Sequence, residues 1–251
     1  MVMVMEDIIM SVYKEPVENV AKSVSSIIAQ TYTNWEMLIV DDCSSDDSFY
    51  KIQLIASKDT RIKIFQNSQN IGAANTRNIA LKKARGKFIA FLDSDDMWNK
   101  DKLDKQINFM LLNNIAFSYT AYEMITDTSL NVFKVIKAPK KMHYHSYLKN
   151  TIIGCLTVVL DREEIGDFEM PNIRSSHDMA LWLSIMKRGY DAFGLDINLA
   201  QYRILPNSNS SRKLKAAKDV WLVYRNIEGL SFVYSLWCFI NYVVNALIKR
   251  M

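Results

Sequence analysis

Cysteine, glycine and proline are scarce in this sequence, whose 251 residues include three cysteines, seven glycines and four prolines. Cys43, Cys155 and Cys238 lie far apart, with no CxxC motif and no Cys/His metal spacing. This pattern argues against a zinc site or a disulfide framework and favours free thiols in a reducing compartment. The amino terminus also lacks the basic region and long apolar core of a signal peptide, so we expect a cytoplasmic protein.

Positive charge is concentrated towards the carboxyl terminus. Residues 201–251 contain eight lysines and arginines against two carboxylates, whereas the whole chain has a net charge of +4. A basic tail on a slightly acidic body predicts an anionic partner, such as a membrane surface. The basic residues are not interleaved with aromatic ones and no nucleic-acid-binding motif is present, so we exclude a nucleic-acid partner.

Predicted strands and helices alternate through the first half of the chain. Apolar residues make up 49% of the sequence, which is ample for a core. Short continuous apolar runs predict strands buried on both faces, and apolar residues at helical spacing between them predict connecting helices. We therefore expect an α/β fold with a mostly parallel sheet flanked by helices. The predicted strands of this half are residues 8–12, 37–40, 62–65 and 88–92.

Two local predictions add detail to this outline. Ser44 or Ser45 is a suitable cap for the helix that follows the second strand. The second half is less regular: a helix opens at Asp178, and strands are predicted at residues 117–122, 132–136 and 156–160.

An acidic segment, residues 93–96, directly follows the fourth predicted strand and contains three aspartates. Clustered carboxylates repel one another unless a cation or hydrogen-bond donors offset the repulsion. Mg²⁺ and Mn²⁺ favour carboxylate oxygens and share their coordination shell with substrate phosphates. Because open α/β sheets bind ligands beyond the carboxyl ends of their strands, the segment predicts a metal–diphosphate site. The alternative is that Asp95, Asp96 or Asn99 caps the helix that begins near Lys100.

The chain closes with an uncharged segment, residues 230–248. Its length permits a membrane-spanning helix, but its polar residues fall on one side at 100° per residue, which predicts an amphipathic helix with a narrow polar stripe. Such a helix can lie in a membrane interface with basic residues near anionic headgroups, or pack on the catalytic domain or on a second subunit in a homodimer. A turn-forming stretch at residues 204–212 divides this tail, residues 206–251, from a domain formed by residues 1–205.

Together these features closely resemble the nucleotide-sugar glycosyltransferases of family 2, which have the GT-A fold. The resemblance covers about residues 6–205. It depends on acidic residues at the ends of the second and fourth strands, on a polar loop and helix start before the fourth strand, and on an aspartate in the second half. The matching segments are residues 8–15, 25–46, 70–78, 86–98 and 177–183.

The resemblance implies a site for the nucleotide of the donor. Ser11, Tyr13 and Glu15 would contact the nucleotide, and Asp42, or alternatively Asp41, would accept the N–H of a uracil base. Two departures from the family's first-strand motif, Met10 and Lys14, weaken the expectation of nucleotide contacts there.

The same resemblance implies which residues hold the diphosphate and the metal. Arg77 would hold the base or diphosphate; the alternative is a solvated arginine on a helix face. Asp95 and Asp96 match the DxD-type positions for ribose and metal, with Asp93 as the supporting carboxylate and Mg²⁺ or Mn²⁺ as the cofactor. Arg203 is a candidate diphosphate contact, as arginine suits phosphate geometry, or else it forms a salt bridge at a strand end.

Asp178 matches the family's catalytic base. An inverting transfer attacks the anomeric carbon from the face opposite the leaving diphosphate, so a carboxylate there can take the proton of the acceptor hydroxyl. The alternative role is a helix cap favoured by the helix dipole, and the two roles are compatible. The preceding residue, commonly Glu in the family, is His177 here, for which we expect a surface or supporting position.

The resemblance implies an inverting, metal-dependent hexosyl- or N-acetylhexosaminyltransferase. It would move a single sugar from a nucleotide donor, with UDP favoured, to a hydroxyl of a polyprenyl-diphosphate-linked glycan in capsule or O-antigen assembly, at the inner face of the cell membrane. One alternative is a sugar nucleotidyltransferase, which usually begins with a glycine-rich phosphate loop; here the first glycine is Gly72. Another alternative is a non-catalytic protein that binds membrane surfaces.

Overall fold

Ten strands form a single mixed sheet in the computed structural model, which describes residues 5–45, 47–126, 132–204 and 213–248. The strands are β1 Glu6–Val12, β2 Trp35–Asp41, β3 Ile62–Gln66, β4 Phe88–Phe91, β5 Met97–Trp98, β6 Phe117–Thr126, β7 Val132–Ile136, β8 Lys141–Met142, β9 Val159–Asp161 and β10 Ala192–Ile204. The helices are α1 Val17–Ile28, α2 Ser48–Ala56, α3 Ala73–Lys83, α4 Lys102–Asn113, α5 Tyr144–Tyr147, α6 Arg162–Ile165, α7 His177–Lys187, α8 Lys213–Leu222 and α9 Phe232–Ile248.

The sheet has a parallel half and a mixed half. Its main strand order is β3-β2-β1-β4-β9-β6-β10-β5, with β7 paired to β6 and β8 paired to β10. The first four strands are all parallel, as the sequence predicts. In the other half β6 and β10 are parallel, whereas β9 is antiparallel to both β4 and β6. The parallel half therefore brings the carboxyl ends of β1, β2 and β4 to one edge.

Apolar residues fill both faces of the sheet. Ile8 and Met10 pack on the face covered by α1, α2 and α4, whereas Ile9 packs on the face covered by α3 and α7. Successive side chains of a strand point to opposite faces, so a strand covered on both sides is apolar throughout. This is the physical basis of the continuous apolar runs in the sequence.

Two local predictions are corrected by the structure. The second helix begins at Ser48 rather than at Ser44 or Ser45, because the backbone N–H and the hydroxyl of Ser44 donate to the Asp41 carboxylate at 2.9 and 2.6 Å. The predicted strand 156–160 is divided into a 3₁₀ turn, Cys155–Thr157, and the short strand β9. The Thr157 hydroxyl donates to the Gly154 carbonyl at 2.6 Å and stabilises this turn.

The closing helix is present, and its polar side faces the protein. Ser235 and Cys238 are buried, and the Asn245 amide donates to the Lys149 carbonyl at 3.0 Å. No helix among the described residues is long and apolar enough to span a membrane. The predicted break at residues 204–212 lies almost entirely in residues 205–212, which are outside the described part of the chain, so the boundary between residues 1–205 and 206–251 stays a prediction.

Candidate functional site

The acidic segment 93–96 forms a tight turn at the carboxyl end of β4. The Asp96 backbone N–H donates to the Asp93 carbonyl at 3.1 Å. From α1, the Ser23 hydroxyl lies 3.0 Å from the Ser94 carbonyl oxygen and 2.5 Å from the Asp96 carbonyl oxygen, and so fixes the turn against the helix. Ser23 was not predicted as a site residue, although it shares the inward face of α1 with Val20, Val24 and Ile27.

Asp96 is almost completely buried, with a relative exposure of 1%. Its Oδ1 accepts a hydrogen bond from the Arg203 backbone N–H at 2.8 Å, whereas its buried Oδ2 has no hydrogen-bond partner among the described residues. The Arg203 guanidinium reaches the same turn, where Nε donates to the Asp95 carbonyl at 2.8 Å. One carboxylate oxygen of Asp96 therefore stabilises the turn, and the other is available to a ligand.

The helix-capping alternative for this segment does not agree with the structure. Helix α4 begins at Lys102 after Asp101, whose side chain makes no capping hydrogen bond; Gln30 Oε1 accepts from the Leu103 backbone N–H in the first turn at 3.1 Å. Asp96 is hydrogen-bonded to Arg203 instead, and the Asn99 amide donates to the Asn198 carbonyl at 2.8 Å. Asp96 and Asn99 therefore do not cap this helix.

Burial makes these carboxylates costly to ionise. Burial raises the pKa of Asp95 to about 7, and the charges of Asp93 and Glu15 add to the shift. Burial also raises the pKa of Asp96 well above its ordinary value, with the charges of Asp95 and Asp93 acting in the same direction. A nearby cation would reverse this penalty, because it favours the ionised carboxylates.

The donor set fits a divalent cation shared with a phosphate ligand. The free Asp96 Oδ2 and the neighbouring Asp95 offer the hard oxygen ligands that Mg²⁺ and Mn²⁺ prefer. Within the described ranges there is no group of three or more His, Cys, Asp or Glu side chains that could hold an ion by itself. The remaining ligands would therefore come from a diphosphate and water, as is usual for Mg²⁺.

Arg77 connects the acidic turn to the second half of the chain. From α3, its Nη2 donates to the Asp93 carboxylate, and its Nη1 lies 2.6 Å from His177 Nε2 at the start of α7. Burial lowers the pKa of Arg77, but the charges of neighbouring groups, with Asp93 foremost, and the hydrogen bond to Asp93 together outweigh this and raise the pKa above its ordinary value. Arg77 is only 7% exposed, so the alternative of a solvated helix-face arginine is wrong.

His177 has a supporting position beside Arg77 rather than a surface one, which is one of the two positions expected from the sequence. Burial and the adjacent Arg77 charge lower the pKa of His177. The imidazole is therefore neutral at neutral pH, and its Nε2 accepts the hydrogen bond from Arg77. The only signal in the sequence is its place immediately before Asp178.

We expect His177→Leu to lower kcat/KM by about ten- to a hundredfold, because it removes an acceptor from a buried charged donor. His177→Gln, which keeps an acceptor, should restore most of the activity. The histidine pKa is lowered, so the neutral form persists down to pH values below the usual range of histidine and is lost below that. The wild-type activity should accordingly show an acid limb that the Gln variant lacks.

A pH profile of kcat/KM for the three proteins tests this role, with His143→Gln at an exposed histidine as the control. Identical acid limbs in wild type and His177→Gln would assign the limb to another group and contradict this role of His177.

Asp178 is the second residue of α7 and carries a half-buried carboxylate. None of the described residues donates a hydrogen bond to it, and the N-cap position of the helix belongs to Ser176. The negative charge of Asp178 contributes to the raised pKa values of Arg77 and Cys155. Asp178 therefore lies on the Arg77 side of the sheet, and no described residue donates a hydrogen bond to its carboxylate.

The residues predicted to bind the nucleotide lie at the same edge of the sheet. Ser11 is near the end of β1, and Tyr13 follows it with 47% of its surface exposed. The Asn19 amide donates to Glu15 Oε1 at 2.8 Å, which orients that carboxylate. Their contacts with a nucleotide stay predictions.

Asp42 organises the loop that leads into α3. Its Oδ1 accepts from the Ile71 backbone N–H at 2.8 Å and from the Asn67 amide at 2.9 Å, and its Oδ2 accepts from the Gly72 N–H at 2.8 Å. A carboxylate oxygen can accept two hydrogen bonds, so Oδ2 retains capacity for a base N–H. Asp41 likewise accepts three hydrogen bonds, two from Ser44 and one from the Gln66 amide, so the choice of Asp42 over Asp41 stays a prediction.

Comparison with known proteins gives a family match. The family described as glycosyl transferase family 2 matches residues 7–161. The chain is 48% identical over 229 residues to the putative teichuronic acid biosynthesis glycosyltransferase TuaG of Bacillus subtilis, covering 91% of each protein. It is 44% identical over 234 residues to the UDP-Glc:alpha-D-GlcNAc-diphosphoundecaprenol beta-1,3-glucosyltransferase WfgD of Escherichia coli, covering 92% of this chain and 89% of that protein.

A solved structure shares the fold. The mannosyltransferase PcManGT from Pyrobaculum calidifontis, in complex with GDP-Man and Mn²⁺, superposes with a TM-score of 0.72 at 14% identity. The match covers 97% of this chain and 74% of that one. The predicted GT-A fold is confirmed by this likeness, which at such low identity concerns the fold alone.

Proposed function

We propose, from the premise that the chain belongs to glycosyl transferase family 2 and is a glycosyltransferase, that it moves one sugar from a UDP-sugar to a polyprenyl-diphosphate-linked glycan. The observation that carries the proposal is the connection of the acidic turn to Asp178. Asp93, Arg77 and His177 are in successive contact, and Asp178 is the next residue. These contacts would hold the proposed diphosphate site next to the proposed proton acceptor.

The choice of substrates is supported by the relatives. WfgD, at 44% identity, is named for UDP-glucose and for an acceptor of GlcNAc on diphosphoundecaprenol. PcManGT shows that the same fold also accommodates GDP-mannose, so the fold does not select the nucleotide. We favour UDP because WfgD, at 44% identity, is named for a UDP-sugar and because Asp42 has a free accepting position for a uracil N–H. The transferred sugar is accordingly a hexose or an N-acetylhexosamine.

The acidic turn would hold the diphosphate through a divalent cation. Asp96 Oδ2 and Asp95 are the proposed protein ligands, with Asp93 orienting Arg77. When bound, the ion would act as a Lewis acid that offsets negative charge on the diphosphate. The Arg77 and Arg203 guanidinium groups lie at the same turn, and their charges would stabilise the departing nucleoside diphosphate further.

Asp178 would act as the general base. As the acceptor oxygen bonds to the anomeric carbon, the bond from that carbon to the diphosphate oxygen breaks on the opposite face, and the hydroxyl proton passes to the carboxylate. Attack from the face opposite the leaving group inverts the anomeric configuration. Because no described residue donates to the Asp178 carboxylate, both oxygens are available to a substrate hydroxyl.

The lipid-linked acceptor would place the enzyme at the inner face of the cell membrane in surface-polysaccharide assembly. TuaG, at 48% identity, is named for biosynthesis of such a polymer, teichuronic acid. A sugar nucleotidyltransferase is not favoured, because glycosyl transferase family 2 accounts for residues 7–161.

A donor panel tests this proposal. We expect transfer from UDP-glucose or UDP-N-acetylglucosamine to GlcNAc-diphospholipid, with release of UDP. Preferred use of a GDP-sugar would overturn the choice of donor. Formation of a nucleotide sugar and pyrophosphate from a sugar phosphate and UTP would overturn the reaction class. Asp178→Asn in the same assay reveals any contaminating transferase.

A further inference from the structure

The outer side of α9 is apolar and exposed, which is the reverse of an ordinary surface helix. The side towards the protein carries Ser235, Cys238 and Asn245. Exposed fractions on the other side reach 78% for Val233 and 55% for Trp237. A contiguous exposed apolar surface of this kind marks an interaction site. Its further members are Leu236, Ile240, Val244 and Leu247.

Strand β7 adds a second exposed apolar surface. Val132, Phe133 and Val135 are 53, 66 and 46% exposed, and β7 pairs only with β6 among the described strands. A cleft of about 630 Å³ separates β7 from the end of α9, with Lys134 and Val135 on one wall and Asn245 and Ile248 on the other. Two elements distant in sequence therefore form one continuous surface, which we call the β7–α9 surface.

The cleft of the β7–α9 surface is positively charged. Lys134, Lys137 and Lys140 line it, and none of them forms an ion pair with a residue that the structure describes. Asp196 also lines the cleft, but its Oδ1 accepts a hydrogen bond from the Ala138 backbone N–H at 2.9 Å. Apolar side chains thus border a group of lysines without carboxylate partners.

We propose that the β7–α9 surface docks on an anionic lipid bilayer. Its apolar side chains would enter the interface between headgroups and acyl chains, while the three lysines of the cleft contact lipid phosphates. A second copy of the chain fits this surface less well. A two-fold interface is self-complementary, so it would bring two sets of unpaired lysines together. The inference rests on the proposed function only in that the lipid-linked acceptor lies in the same bilayer.

A short segment joins the β7–α9 surface to the acceptor side of the site. Asn150 and Ile152 line the cleft. Cys155 follows closely in sequence; burial raises its pKa, and the charges of Asp93 and Asp178 raise it further. Residues 150–155 thus run from the lining of the cleft to a buried thiol whose pKa responds to the charge of the proposed base.

Co-sedimentation with vesicles tests the docking. The full chain should bind phosphatidylglycerol vesicles, bind phosphatidylcholine vesicles weakly, and lose binding as salt rises. Each lysine near an anionic surface contributes about 1 kcal/mol, so Lys137→Glu combined with Lys140→Glu should lower the partition coefficient at least about tenfold. Trp237→Ser should lower binding to both kinds of vesicle. Lys22→Glu with Lys58→Glu, at exposed lysines elsewhere, is the matched control.

Two outcomes would overturn the proposal. One is equal loss of binding in the Lys137/Lys140 and Lys22/Lys58 variants, which would mean a general charge effect. The other is a dimer, seen by analytical ultracentrifugation without vesicles, that Trp237→Ser dissociates, because a second copy would then cover the surface. Turnover with a short-chain, water-soluble diphosphate-linked acceptor should be unchanged in all these variants. Wild-type protein that binds vesicles but transfers no sugar would contradict the proposed function and leave the docking intact.

Discussion

Asp178→Asn should leave UDP-sugar binding nearly unchanged and lower kcat by about a thousandfold, within the range that a general base contributes. The amide has the size of the carboxylate but cannot take a proton from the acceptor hydroxyl. No described residue donates a hydrogen bond to the Asp178 carboxylate, so the substitution breaks no contact that positions the donor. Single-turnover transfer and calorimetric UDP binding measure the two quantities separately.

Asp104→Asn is the matched control, since Asp104 lies in the first turn of α4 as Asp178 lies in that of α7. Both substitutions remove a carboxylate from the favourable end of a helix dipole, which costs about 0.3–1 kcal/mol. Equal and small losses of activity in the two variants would mean that Asp178 acts only as a favourable charge at the helix terminus and not as a base. Loss of donor binding with unchanged kcat would place it in the donor site instead.

Asp96→Asn should lower the affinity for UDP in the presence of Mg²⁺ or Mn²⁺ by about a hundredfold, a loss typical of damage to a metal site. The reason is the free Oδ2, which is the proposed metal ligand, whereas Oδ1 is already bonded to the Arg203 N–H. Without a divalent cation, wild type and variant should bind UDP equally weakly. A titration of UDP with and without the cation gives both comparisons.

Asp161→Asn separates this effect from a loss of stability. Asp161 is also buried, accepts hydrogen bonds from the Glu163 and Glu164 backbone N–H groups and pairs with Lys87, but it lies at the end of β9. We expect this variant to unfold at a lower temperature while keeping cation-dependent UDP binding. Unchanged, cation-independent UDP binding by Asp96→Asn would exclude the metal bridge.

The parallel half of the fold is predictable because its physical signal is local. Strands β1, β2 and β4 are buried on both faces and contain continuous apolar runs, whereas the edge strand β3 is partly exposed; each acidic cluster directly follows one of the buried runs. The resemblance to family 2 glycosyltransferases is confirmed by the match over residues 7–161. The mixed half is harder to predict from the sequence, because β9 is short and is stabilised by pairing with both β4 and β6.

Contacts between distant segments explain what the sequence does not reveal. Thr76, Arg77 and Asn78 are polar residues on α3, yet all three are buried. Arg77 is buried because Asp93 and His177, from two other elements, satisfy its guanidinium. Likewise, the stripe of polar residues on α9 is visible in the sequence, but its direction is set by contacts such as that between Asn245 and Lys149.

The anomeric configuration of the product tests the central claim most directly. With an α-linked UDP-sugar as donor and a GlcNAc-diphospholipid as acceptor, attack from the face opposite the diphosphate requires a β-linked product. Proton NMR of the purified product distinguishes the two anomers. A β-glycosidic bond agrees with an acceptor activated by Asp178 opposite the acidic turn. An α-glycosidic bond would contradict that arrangement of base and leaving group.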